Sequence, residues 1–165
     1  MLIGESLDFL QGGFLVPGMR ILDLGSGAGM PGIPLAICSV GLHFTLLDRS
    51  DKKITFLHRV VSLLRLENCA LCCSTAEDLA RAFTPTQRFD AVVSRGVGPI
   101  AHLLRLAAPL LHPGGILLVR KPQQTPELQE AAPLLAAPTW GEVRTIPLLQ
   151  EESSLWCLLA IPRLA

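Results

Sequence analysis

Apolar and polar positions alternate along this chain in two rhythms. Short runs that are apolar on both faces read as buried strands: Arg20–Leu24 (RILDL), then 43–47 ending at Asp48, 70–74, 90–94 (DAVVS) and 115–119. Between them lie stretches with helical spacing. These are a short leading helix over 3–11, a helix beginning at 33–38, one over 51–66, a short one near 76–82, one over 99–111 and one over 126–136 that contains Pro133. The stretch 51–66 is the clearest. Ile54, Leu57, Val61 and Leu64 recur at i, i+3, i+7 and i+10, while Lys52, Lys53, Arg59 and Arg65 fall on other faces and Asp51 suits the positive end of the helix dipole. Gly12, Gly13, Pro17 and Gly18 separate the leading helix from the first strand.

Strands alternating with helices imply βαβ units and a mostly parallel sheet. Two late extended runs, 142–149 and 155–161, are joined by the polar QEESS and predict an antiparallel hairpin that closes one sheet edge. The expected architecture is therefore α/β and Rossmann-like. It has a seven-stranded, mostly parallel sheet with an antiparallel C-terminal hairpin and helices on both faces. We expect residues 1–165 to form a single domain.

Composition narrows the classes. Half of the 165 residues are apolar and 17% are charged, which suits a well-buried globular core. No apolar run is long enough to span a bilayer, and the acid-bearing start MLIGESLDFL lacks the basic region of a signal peptide, so a cytoplasmic location is expected. Net charge is zero, so any nucleic-acid contact must come from a local basic patch. Cys38, Cys69, Cys72, Cys73 and Cys157 are odd in number, and the run NCALCCS has no second Cys/His pair at zinc-site spacing. The cysteines of that run read as small hydrophobes packed in a short buried strand, and no metal is expected.

The segment between the first strand and the next helix carries the candidate chemistry. It runs Asp23-Leu24-Gly25-Ser26-Gly27-Ala28-Gly29-Met30-Pro31-Gly32. Glycines let the backbone turn sharply and approach a ligand closely. The string Gly27-x-Gly29-x-x-Gly32 matches the dinucleotide pattern literally. Counted from the strand end, however, the first turn glycine is Gly25, and the third dinucleotide glycine would fall at Met30. The pattern D-x-G-x-G-x-G, from Asp23 through Gly25, Gly27 and Gly29, is instead the signature of S-adenosylmethionine binding. Asp23 can hold the cationic methionine amino group, directly or through water. Asp48 ends the second strand, 23 residues after Gly25, where a carboxylate accepts hydrogen bonds from ribose hydroxyls.

Beyond that generic signature, the loop running straight into Pro31-Gly32-Ile33-Pro34-Leu35-Ala36-Ile37 resembles the RsmG (GidB) family, bacterial methyltransferases of guanine N7 in small-subunit ribosomal RNA. Leu46-Leu47-Asp48-x-x-x-Lys52-Lys53-x-x-Phe56-Leu57 is a second match; Ser74-Thr75-Ala76-Glu77 and Val93-Ser94-Arg95 are further ones. The resemblance covers roughly residues 5–161. It implies that Gly25 and Met30 lie against S-adenosylmethionine, that Ala76 and Glu77 lie near the adenine, and that Arg95 lines the cofactor or target-base pocket. Family members carry an N-terminal helical extension with N-L-T and H-x-L-D-S segments. Here residues 1–18 read as its remnant, with Ser6-Leu7 the trace and the histidine replaced. The family's S-R-A is Ser94-Arg95-Gly96, and its K-G is Lys121-Pro122.

Guanine N7 already offers a lone pair, so the implied reaction needs positioning rather than a base, and no catalytic residue is assigned. His43, His58, His102 and His112 read as structural or exposed. RNA contact is expected from Arg49, Lys52 and Lys53, with Arg59 nearby, and from Arg120 and Lys121 at the end of the fifth strand. Expected partners are ribosomal RNA or the small subunit, with the chain a monomer. A small-molecule methyltransferase and a non-catalytic cofactor-binding scaffold are the competing expectations, and an NAD oxidoreductase a distant one.

Overall fold

The computed structural model describes residues 2–148 and 156–164, with the side chain of Leu2 left aside. The chain opens with α1 (Leu2–Leu7) and a 3-10 segment (Asp8–Gly13). It then alternates β1 (Arg20–Leu24), α2 (Gly32–Cys38), β2 (His43–Asp48), α3 (Asp51–Leu64), β3 (Cys69–Cys73), α4 (Ala76–Ala82), β4 (Phe89–Ser94), α5 (Ile100–Ala107), β5 (Leu111–Pro122) and α6 (Glu127–Leu135). It ends with β6 (Arg144–Pro147) and β7 (Trp156–Pro162).

The seven strands form one sheet in the order β3-β2-β1-β4-β5-β7-β6. The first five are parallel, and β7 is antiparallel to both of its neighbours. The hairpin expectation holds: the antiparallel pair closes one sheet edge, with β7 inside on β5 and β6 outermost. The cause is legible in burial. β7 is apolar along nearly its whole length and is buried from Cys157 to Ile161, so it belongs between two strands. β6 is short and mostly exposed, and suits an edge. The expected QEESS joint lies outside the described residues.

Strand alternation sorts the core into two layers. Leu22 and Leu24 face one, with Leu79 of α4, Leu103 and Leu104 of α5 and Ala131 of α6. Ile21 faces the other, with Phe9, Leu35 of α2 and Leu57 of α3. Helices therefore cover both faces. The same alternation turns Asp23 toward the α2 layer.

Several boundaries differ from the expected ones, among them the end of α5 at Ala107, the end of α3 and both ends of β5. α3 stops at Leu64 because Arg65 turns left-handed (φ 52°). The Arg65 N–H then bonds to Ser62 C=O and the Leu66 N–H to Val61 C=O, a Schellman closure. Glycine is the usual residue at that position, so the sequence gives no stop signal. β5 starts earlier than expected, at Leu111 opposite Phe89, and an irregularity follows before Ala91 pairs with Ile116. Pairing with β7 carries it on to Pro122.

Candidate active site

The carboxyl ends of the parallel strands converge on one edge, where open α/β sheets place their ligands. Gly25, Gly27 and Gly29 all adopt positive φ (74°, 57° and 94°), so the loop after β1 takes a path closed to most side chains. The N–H groups of Gly25 and Ser26 both donate to Leu47 C=O, at 2.9 Å each, and pin the loop to β2. Gly32 meets a different constraint. A Cβ there would collide with Leu46 and with the Asp23 carboxylate, so only glycine lets α2 begin this close to the sheet.

Asp23 is fully buried. Its Oδ2 accepts the Gly32 N–H at 2.9 Å. Its Oδ1 is buried with no hydrogen-bond partner among the described residues. Burial pushes the carboxyl up to about 7, against the lowering effects of Gly32, Ser26 and the nearby Arg95 charge. An oxygen of this kind fits a cationic donor, and the α-ammonium of S-adenosylmethionine is one. The Gly32 N–H, which a dinucleotide pyrophosphate would require, is already taken by Asp23.

Asp48 is also buried, at the end of β2. Its Oδ2 accepts from the Gly27 N–H (3.0 Å) and Lys53 Nζ (3.3 Å), and its Oδ1 from the Ser50 N–H (3.0 Å). Burial alone would raise its pKa. The two backbone donors and Lys53 outweigh it and hold the carboxyl below the usual carboxylate range. Oδ1 keeps a lone pair for a ribose hydroxyl.

A cleft of about 820 Å³ opens beside these groups, walled by Gly25, Asp48, Ala76, Glu77, Val97 and His102. The structure thus brings Gly25, Asp48, Ala76 and Glu77 together on one cavity, with Asp23 fully buried behind it. Thr75 caps α4 by accepting the Asp78 N–H at 3.1 Å, which fixes where Ala76 and Glu77 stand. Arg49 and Lys53 stand on the rim of the same cleft. Met30 lies off it, its sulfur accepting from Ser6 Oγ at 3.5 Å.

The cations of β4 and β5 depart from expectation. Arg95 is turned to the leading helix, its Nη1 3.0 Å from Glu5 Oε2, and Gly96 and Val97 line the cleft in its place. Arg120 is not offered to a polyanion. It is buried, with Nε 2.8 Å from Asp8 Oδ2 and its guanidinium carbon 4.3 Å from the centre of the Trp156 ring. Lys121 Nζ is held by Glu127 Oε2 (2.7 Å) and Gly98 C=O (2.8 Å). The sequence does not mark Glu5 and Asp8, whose partners lie 90 and 112 residues away, or Glu127, which the turn before α6 brings back onto Lys121. It also leaves outside the site His102, an exposed residue near the start of α5, off that helix's buried face, that lines the cleft. The cysteines of β3 are free thiols but not core residues as expected: β3 is an edge strand, so Cys73 is exposed and Cys69 and Cys72 are only partly buried, which still pushes Cys69 up to about 11.

The sequence pattern that describes rRNA small subunit methyltransferase G matches residues 4–155. The chain is 36% identical over 156 residues to the protein of that name from Deinococcus deserti, covering 92% of this chain and 64% of that one. It is 45% identical over 115 residues to the one from Laribacter hongkongensis, covering 70% and 54%. The chain thus spans less than two thirds of the curated relatives it matches. An rRNA methylase from Streptococcus thermophilus superposes with a TM-score of 0.67 at 18% identity, over 100% of this chain and 98% of that one, a likeness of fold. The match across most of the sequence, with the glycine loop and both acids in place, makes this chain a member of the rRNA small subunit methyltransferase G family.

Proposed function

We propose that this chain transfers the methyl group of S-adenosylmethionine to N7 of a guanine in small-subunit ribosomal RNA, as a single-domain, monomeric cytoplasmic enzyme. The observation that carries the reading is the pair of buried acids at the ends of β1 and β2, one of them with an oxygen that has no partner among the described residues. Asp23 would hold the ammonium, directly or through water, and Asp48 a ribose hydroxyl. Ala76 and Glu77 would flank the adenine, with Gly25, Gly27 and Gly29 shaping the loop beside it. S-Adenosylmethionine supplies a sulfonium methyl that is already an activated electrophile. N7 carries a free lone pair, so no base is assigned. What the chain supplies is alignment, a contribution of about 7–11 kcal/mol where geometry is well held. Arg95 stays a candidate for the target pocket once it parts from Glu5.

The test is methyl transfer from labelled S-adenosylmethionine to small ribosomal subunits that lack base methylation, with the product mapped. Label at a guanine N7 is the expected result. Absence of label, with a full-length relative active in parallel, would overturn the proposal.

A further inference from the structure

A second groove, of about 890 Å³, lies on α3 and opens beside the glycine loop. Gly27 and Ala28 form one lip; Lys52, Thr55, Phe56 and Arg59 form the other. Phe56 is half-exposed, and Lys52, Lys53, Thr55 and Arg59 around it are exposed. The groove carries three cations, Lys52, Lys53 and Arg59, against one acid, Asp51, and of the three Lys53 is also paired with Asp48 of the cofactor cleft. Lys53 also stands on the rim of the cofactor cleft, so the two cavities share a wall.

An exposed aromatic face among cations suits one kind of occupant. A base of a single strand stacks on the ring, and the phosphates on either side meet the cations. Arg120 and Lys121, at the other end of the sheet edge, do not serve in this way, because Asp8 and Glu127 hold them. We propose that this groove seats a single-stranded ribonucleotide segment next to the target base, with one base stacked on Phe56 and its phosphates against Lys52 and Arg59. The proposal rests on RNA being the substrate. Its strand leaves the cleft over Lys53.

The test uses the whole chain with Phe56→Ala, Phe56→Leu and Phe56→Trp. Phe56 is half-exposed, so none of these should disturb folding, and a thermal melt checks that. Two quantities are read: KM for the RNA substrate, and the affinity for a fluorescein-labelled single-stranded RNA oligonucleotide. Loss of one stacked base weakens binding about tenfold. The alanine and leucine variants should both show that loss, carried by KM rather than kcat, and tryptophan should restore the parent value. S-Adenosylmethionine affinity, measured by calorimetry, should stay within about twofold, since the ring lies off the cofactor cleft. If leucine performs like phenylalanine, the groove reads apolar surface and docks a protein segment, and the proposal fails. It fails too if alanine leaves both quantities unchanged. If the parent methylates no RNA but oligonucleotide binding still falls with alanine, the substrate reading fails and the groove stands.

Discussion

At the carboxyl ends of β1 and β2, two acids keep acceptor capacity for a ligand; at β4 and β5, three cations have already been matched by acids of the chain itself. Asp48 finds its partners 2, 5 and 21 residues away, and Asp23 finds Gly32 at a separation of 9. Arg95 and Arg120 find theirs at separations of 90 and 112. Both sets sit at strand ends on the ligand edge, where a charge on sequence grounds alone reads as functional. The difference lies in what closes over them. α1 and the 3-10 segment bring Glu5 and Asp8 across the β4–β5 half, while the β1–β2 half is closed by its own loop, the start of α2 and Lys53 of α3. A charged residue at a strand end is therefore free for a ligand only if nothing distant neutralises it.

The comparison can be broken most forcefully at Asp8. Asp8→Ala should strand the buried Arg120 charge and cost about 3–5 kcal/mol in urea denaturation. A loss under about 1 kcal/mol would show that the Trp156 face and Glu5 hold the guanidinium unaided. Asp23 gives the second test. Its folded pKa, about 7, lies above its ordinary value of 3.8. The native state thus binds more protons than the unfolded chain between these values. The stability from this group is full below pH 3.8 and is lost as pH rises through 7, at up to about 1.4 kcal/mol per pH unit. Asp23→Asn should flatten that slope in denaturation curves. S-Adenosylmethionine affinity in the parent should rise up to about tenfold per pH unit toward pH 7, as the carboxylate that receives the ammonium forms, and the variant should lose that dependence. Equal slopes in parent and variant would remove Asp23 from both roles. The smallest effect belongs to Glu5→Gln. The Glu5–Arg95 pair is partly exposed, so its loss should change thermal stability by less than about 1 kcal/mol. A larger change would place the pair among the buried contacts that set the fold.

What could be read from the sequence follows the same division. RILDL and DAVVS announce themselves as strands because a central parallel strand is buried on both faces. The glycine loop and its two acids are legible because their partners are local. The end of α3 is not, since Arg65 adopts a conformation usually left to glycine. The length of β5 is not, since pairing with β4 and β7 sets it. Phe56 falls between Ile54 and Leu57, off the apolar stripe of α3 and among cations, which was the available sign that it faces outward. The pairing of Arg120 and Lys121 is not legible, because no local pattern shows an acid more than a hundred residues upstream, or the fold of α6 that brings Glu127 back.

The place of β7 has a consequence for synthesis. β6 pairs with no named strand but β7, and β7 is the last of the seven to be made. On the ribosome, residues 144–147 emerge first and must wait about a second, at ordinary rates of translation, for the strand that will attach them to β5. A waiting strand invites neighbouring nascent chains to pair with it. This one is four residues long, mostly exposed, and bounded by Arg144 and Pro147, so it offers a stranger little to hold.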